Sequence, residues 1–302
     1  MSRQFKIAVA QYPLDFFDEK QEYVAKISDW VDQAVKQQAK LLVFPEYGSM
    51  ELASLAGRTA AGDLKASLIA VSDLIEFQAT VHRLLAQKHN VVIVSASAPC
   101  RHPNGNVTNV AHIFSPSGKE GAYHKIMPTP WEREAWNISP GPDDGLKVFD
   151  LGFAKIGLVI CYDIEFPLIG RALSEAGAEI ILAPSNTELE HGYWRVRTGC
   201  MARALENQVY TVHSPVVGPA EWCEAVDMNT GAAGVFAPSD QGFPAGGVVA
   251  LGKMNEPQWV FAELDLDKMA KLRDSGRVQT YKHWSEQPGA AELPKPKMVS
   301  LI

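Results

Sequence analysis

Three short segments of the 302-residue chain carry residue types that can do chemistry together. In Phe44-Pro45-Glu46-Tyr47 an apolar run delivers an acid into a turn. In Tyr123-His124-Lys125-Ile126-Met127-Pro128-Thr129 a lysine stands just before a proline-rich stretch. In Leu158-Val159-Ile160-Cys161-Tyr162-Asp163 a cysteine ends the most apolar run. A free thiol is only a few per cent thiolate at neutral pH, so as a nucleophile it needs a base to take its proton and an acid for the leaving group. A glutamate near Cys161 can accept that proton. A buried lysine ammonium stabilises negative charge developing on an attacked carbonyl, as does the backbone N–H after the thiol, here that of Tyr162. No histidine is required. The set suits attack on an amide, release of ammonia or an amine, and hydrolysis of the thioester.

The elements that must position these residues follow from the apolar patterning. Short β-branched runs alternate with longer helical stretches, the pattern of a layered α/β protein. Strands are predicted at Phe5–Gln11, Leu41–Phe44, Val91–Ser95, Val110–Phe114, Tyr123–Ile126, Lys155–Cys161, Ile180–Ala183, Val209–His213 and Phe261–Leu266. Gly231–Val235 and Gly247–Leu251 read as edge elements. Residues 20–39 place Tyr23, Val24, Ile27, Trp30, Val31, Ala34 and Val35 on one helix face, and further helices are expected at Leu64–His89, Pro167–Ala176 and Gly192–Glu206. Asn104-Gly105 and Ser117-Gly118-Lys119 mark turns. Residues 127–146, with four prolines, form a long shaped loop with one helical turn around Trp131–Trp136. From His283 onward the chain has few helix or strand signals. The reading is therefore one domain over 1–282 and an extended C-terminal tail over 283–302. All three chemical segments sit at the carboxyl ends of strands, where layered α/β folds favour ligand sites.

Composition narrows the function classes. The balance of 28 Lys+Arg against 35 Asp+Glu gives a net charge of −7, which argues against a nucleic-acid partner. No apolar run approaches a membrane span and the N-terminus carries no signal-peptide core, so a soluble, cytoplasmic protein with no membrane partner is expected. Cys100, Cys161, Cys200 and Cys223 form no Cys-x-x-Cys pair, and the eight histidines form no His-Glu-x-x-His, so no metal site is expected. Gly-x-Gly-x-x-Gly, the P-loop and Gly-x-Ser-x-Gly are absent, which leaves chemistry without an obvious cofactor.

The segments FPEY, YHKIMPTPWERE and LVICYDIEFP resemble, in order and spacing, the glutamate–lysine–cysteine signatures of the nitrilase superfamily of carbon–nitrogen hydrolases. From Glu46 to Lys125 is 79 residues, and from Lys125 to Cys161 is 36. The likeness runs from AVAQYPLD through Pro184–Asn186 to Arg203–Tyr210. It implies a four-layer α-β-β-α sandwich, a small-molecule amide substrate, and a homodimer or larger homo-oligomer. It implies Glu46 as general base, Lys125 as oxyanion stabiliser and Cys161 as nucleophile. A second glutamate, positioning the amide and holding Lys125, is implied at Glu132 by the Glu-Arg-x-x-Trp pattern, or at Glu134 by counting back from Pro140-Gly141; Glu132 is preferred. Tyr162-Asp163 followed by Phe166-Pro167 resembles the amidase branches, including ω-amidase-like enzymes, whereas the lysine loop leans towards nitrilases. Glu165 stands where those amidases often have arginine. The expected activity is hydrolysis of a non-peptide amide through a thioester. The alternatives are a nitrilase and an inactive binding protein of the same fold; a cysteine protease lacks its paired histidine.

Other residues have plainer readings beside the functional ones. Tyr47, Trp131, Glu134, Trp136 and Asn186 are candidates to line the pocket, although packing explains the aromatics equally well. Tyr193, Trp194 and Arg197 either shape specificity or cap the core, and Arg203 with Glu206 is a structural pair on a helix. His124, next in a strand to Lys125, faces the other way. Cys100, Cys200 and Cys223 read as small buried hydrophobes.

Overall fold

Apolar residues on both faces of a strand require a layer on each side of it, and the first strands show this directly. The computed structural model describes residues 3–142, 145–291 and 295–302. In β1 (Gln4–Gln11) Ile7 and Val9 face one core while Ala8 and Ala10 face another, all four fully buried. After α1 (Lys20–Lys36), β2 (Ala39–Val43) repeats the division, with Leu41 and Val43 on the side of Ile7 and Leu42 on the side of Ala8.

The chain continues through α2 (Arg58–Ala61), α3 (Leu64–Asp73) and α4 (Ile75–His89) to β3 (Val92–Val94), β4 (Ala98–Arg101), β5 (Val107–Phe114) and β6 (Glu120–His124). A short α5 (Pro130–Glu134) precedes β7 (Lys147–Asp150) and β8 (Lys155–Leu158). Next come α6 (Pro167–Glu175), β9 (Ile180–Ser185), α7 (Glu190–Asn207) and β10 (Tyr210–Pro215). A small ladder of β11 (Gly218–Pro219) with β12 (Met228–Asn229) leads to β13 (Gly234–Phe236), β14 (Val248–Leu251), β15 (Gln258–Asp265), α8 (Leu266–Ser275) and β16 (Lys297–Ser300).

Among the described residues the longer strands form two seven-stranded sheets. One runs β15-β1-β2-β3-β5-β4 with β6 also on β5, the other β14-β13-β10-β9-β8-β7-β16. Each has a parallel centre, β1–β2–β3 and β8–β9–β10. Ile7, Val9, Leu41 and Val43 share one continuous core with Ile156, Leu158, Ile180 and Leu182 of the other sheet. The outer face of the first sheet packs Ala8, Leu42 and Phe44 against Tyr23, Ile27 and Leu85 of α1 and α4. The second is covered by Leu173 of α6 and Val196 and Cys200 of α7. The layers are thus α-β-β-α, as expected. The Ser214 hydroxyl of β10 lies 2.7 Å from the carbonyl of Ala10 and 3.1 Å from that of Val43, tying the two sheets together.

Four expectations need correction. The predicted helix Leu64–His89 is broken at Leu74, whose ψ of 6° leaves the helical range and separates α3 from α4. The strand predicted to end at Cys161 stops at Leu158, because Cys161 opens a 3₁₀ turn, Cys161–Glu165, with φ of +48°. The last predicted strand ends at Asp265, whose side chain accepts from the Lys268 N–H and starts α8, a helix the sequence reading missed. Within the predicted tail, Lys282–Glu286 forms a 3₁₀ turn and Lys297–Ser300 pairs in parallel with β7. Residues 143–144 of the predicted loop and 292–294 of the tail lie outside the described residues. Among the described residues no helix is long and apolar enough to cross a membrane.

Candidate active site

Strand ends of both sheets deliver the candidate residues to one buried place. β2 runs into Phe44-Pro45-Glu46, and the turn is held by the Ser97 N–H donating to the Pro45 carbonyl at 3.0 Å and the Tyr47 N–H donating to the Ser97 hydroxyl at 3.0 Å. Lys125 lies one residue past β6, its N–H donating to the Asn109 carbonyl and its carbonyl accepting from the Gly141 N–H at 2.7 Å. A Cβ on Gly141 would stand 2.6 Å from the His124 carbonyl oxygen, so only glycine lets the long loop close against the lysine. Cys161 follows β8 and Asn186 follows β9.

Lys125 Nζ donates to Glu46 Oε1 at 2.7 Å and to Glu132 Oε2 at 2.6 Å, with all three side chains almost fully buried. Glu46 also accepts from Asn109 Nδ2 at 3.0 Å and from the Asn186 N–H at 2.8 Å. Cys161 Sγ lies 3.7 Å from the Asn186 carbonyl. Glu132 owes its place to a local motif. Thr129-Pro130-Trp131-Glu132 is a capping box: the Glu132 N–H donates to Thr129 Oγ1 at 3.2 Å and the Thr129 N–H donates to Glu132 Oε2 at 2.7 Å. The other Glu132 oxygen accepts from the Tyr47 hydroxyl at 2.7 Å. Glu134, the competing choice, is exposed on the outside of α5.

The remaining candidates divide. Tyr47 and Asn186 touch the cluster directly. Trp136 is buried behind Tyr47 with ring centroids 4.9 Å apart, its indole N–H donating to the Leu64 carbonyl, so it supports Tyr47 by packing. Trp131 is exposed and meets Trp136 at a tilt, with ring centroids 5.5 Å apart. His124 faces away from Lys125 and bonds to Thr108 Oγ1 at 2.8 Å. Arg203 pairs with Glu206, and a further bond to the Ile164 carbonyl at 3.0 Å ties α7 to the cysteine turn.

Two contributors escaped the sequence reading. Asn109, a fully buried asparagine inside apolar β5, reaches Glu46 and lies 3.5 Å from Glu132. Asp163 accepts from the Ile160 N–H, the Met127 N–H and the Tyr123 hydroxyl at 2.8–2.9 Å, clamping the cysteine turn to the lysine loop. A polar residue within an apolar run is the signal that marks both.

The electrostatics distinguish the two glutamates. Burial raises the Glu46 carboxyl and the charge of Glu132 adds to this, so that even beside Lys125 its pKa is pushed up to about 7. Burial also opposes charge on Glu132, but Lys125, the Thr129 N–H and the Tyr47 hydroxyl outweigh it and hold its pKa below the ordinary value. Burial opposes the Lys125 ammonium too, yet the two carboxylates keep it firmly charged. Burial, then the charge of Glu46, pushes the Cys161 thiol well above its usual range. Cys161 is therefore a neutral thiol at rest, next to the Glu46 carboxylate, whose pKa lies near neutrality. The positive φ of Cys161 is uncommon for a non-glycine residue and is the kind of backbone strain that collects at functional turns.

Residues 6–274 match the family model described as carbon-nitrogen hydrolase. This chain belongs to the carbon-nitrogen hydrolase family. Among its relatives, a probable hydrolase, YhcX, of Bacillus subtilis (strain 168) is 35% identical over 280 residues, covering 92% of this chain and 53% of that protein. The chain thus spans about half the length of that relative. A protein named nitrilase from Pyrococcus abyssi is 29% identical over 270 residues, covering 86% of this chain and 90% of that one. An amidase from Nesterenkonia sp. AN1 shares the fold, with a TM-score of 0.63 at 23% identity over 94% of this chain and 97% of that one. Within this carbon-nitrogen hydrolase chain, the acid, the lysine and the thiol read from the sequence are drawn from both sheets. The buried cluster is therefore a product of the whole sandwich.

Proposed function

We propose that the chain hydrolyses a small non-peptide amide to a carboxylate and ammonia through a thioester on Cys161. The observation that carries this reading is the placement of Lys125 Nζ between Glu46 and Glu132, with the Cys161 thiol beside them on the Asn186 carbonyl, the residue whose N–H donates to Glu46. Glu46 takes the thiol proton as Sγ attacks the amide carbon. Because the thiol is held neutral by burial, proton removal and attack are coupled. The carbonyl oxygen gains the electron pair and is stabilised by Lys125 and by the Tyr162 N–H, which lies in the first turn of its 3₁₀ segment where amides have no partner within the turn. Collapse of the tetrahedral species breaks the C–N bond, and Glu46 returns its proton to the departing nitrogen, releasing ammonia. Water, deprotonated by Glu46, then attacks the thioester, and the carboxylate leaves as the thiol regains its proton. Glu132 stays ionised throughout and holds Lys125.

The Nesterenkonia amidase supports the reading by analogy: in one mutant the acetamide moiety of fluoroacetamide is added covalently at its active-site cysteine. The Tyr-Asp sequence after Cys161 favours an amide over a nitrile, and matched amide and nitrile substrates compared by ammonia release decide between them. The direct test uses hydroxylamine, which should divert the acyl group of the wild type to a hydroxamate. Cys161→Ala should keep its fold by circular dichroism and lose both ammonia release and hydroxamate. Turnover surviving in Cys161→Ala would sink the thioester.

A further inference from the structure

Glu165 closes the 3₁₀ turn that Cys161 opens, and the hydrolysis above does not use it. Its side chain is 22% exposed and meets Arg195 of α7, with Nε to Oε1 at 3.5 Å, while Arg195 is 62% exposed. The two line an open cavity of about 630 Å³ together with His191, Trp194 and Thr198. Burial raises the Glu165 carboxyl and Arg195 opposes this, and the turn Cys161–Glu165 puts that carboxyl four residues from the thiol. One long contact to a mostly exposed arginine is a weak, screened pair. Each charge can be exchanged for one on a ligand. Arg203 also borders the cavity, but its guanidinium is engaged by Glu206 and the Ile164 carbonyl, which leaves Arg195 as the arginine free to swing. A carboxylate on the turn that carries Cys161 and a guanidinium beside it on α7 match a ligand end that is neutral overall but bears both charges.

We propose that Glu165 and Arg195 form a subsite for an α-amino-acid head group, Glu165 taking the ammonium and Arg195 the carboxylate, so that the preferred substrate is an ω-amide of an amino acid. The proposal rests on the amide-hydrolase reading above and names the substrate class for the same site. A lone carboxylate would meet Glu165 uncompensated, which disfavours monoamides of dicarboxylic acids. A plain aliphatic amide would gain nothing from either charge.

Four primary amides of matched reach test this: glutamine, glutaramic acid, 4-aminobutanamide and butanamide. Their binding to the Cys161→Ala protein, where chemistry is blocked, is measured by calorimetry, and ammonia release is measured with Cys161 intact. Glutamine should bind about tenfold or more tightly than glutaramic acid and butanamide, since it alone engages both charges. Glu165→Gln in the Cys161→Ala background should erase most of that preference, and Glu165→Arg should favour glutaramic acid. Equal binding of all four, no binding of glutamine, or an order unmoved in both variants overturns the subsite. If glutamine binds preferentially but no amide releases ammonia, the subsite stands and the hydrolysis reading fails. If ammonia is released from all four alike, the hydrolysis reading stands and the subsite fails.

Discussion

At Glu46 several hydrogen bonds converge on a carboxylate that burial drives towards protonation, and this tension sets the pH behaviour. A base works only when ionised, so with a pKa of about 7 Glu46 is competent above that value and increasingly protonated below it. The rate of ammonia release expressed as kcat/KM should fall as pH drops through about 7. Glu46→Gln should lower it by about 10²–10⁴-fold. Glu132 contributes a negative charge that raises Glu46, so Glu132→Gln should lower the overall rate but move the acid limb of what remains to lower pH. A limb that stays in place in Glu132→Gln would show that another group titrates. The acid and the thiol were legible in the sequence because each follows a strongly apolar strand, and the lysine because it stands just before a proline-rich stretch. Asn109 was not, since a polar residue in an apolar strand reads equally well as an edge position until the fold shows that it is fully buried against Glu46.

Among the elements, the five-residue α5 carries the charge of Glu132, which holds the buried Lys125. Thr129 fixes its first turn, and its hydroxyl accepts from the same Glu132 whose carboxylate holds Lys125. Thr129→Ala should cost about 1 kcal/mol of stability and also lower kcat, because the Glu132 N–H loses its acceptor and the turn that places the Glu132 carboxylate on Lys125 loosens; Thr129→Ser should restore both. Thermal melts and steady-state rates check this, and an alanine variant with wild-type kcat would reduce the box to local helix stability. The sequence showed one helical turn around Trp131–Trp136, whereas the Thr129 cap and the link of Glu132 to Lys125 needed β6 and the loop in register. α8 was overlooked for a different reason. The apolar alternation of Phe261 to Leu266 carries strand spacing across the boundary, although Asp265 was available as a cap and Leu266, Met269 and Leu272 make a buried helical stripe.

For the molecule as a whole, the last residues finish a sheet that would otherwise end at β7. Lys297–Ser300 has little apolar signal of its own, since Lys297 and Met298 are exposed, and it becomes a strand because the β7 edge offers unpaired backbone groups in register from Lys147 to Asp150. Beyond it Leu301 is 2% exposed, its N–H donating to the Asp150 carbonyl at 2.9 Å, and its carbonyl lies 3.4 Å from the Ser117 hydroxyl at a turn of the first sheet. The segment therefore fastens both sheets at one margin, away from the strand ends that carry Glu46, Lys125 and Cys161. Deleting 297–302 uncovers the β7 edge and removes the buried Leu301 side chain, worth about 2 kcal/mol. The shortened protein should melt a few degrees lower and aggregate more readily on heating, because a bare edge pairs with other chains. Its kcat below the melting range should match that of the full chain. Calorimetry, light scattering and steady-state ammonia release check the three outcomes. Loss of turnover with an unchanged melting temperature would mean that the tail serves the active site instead of the sheet.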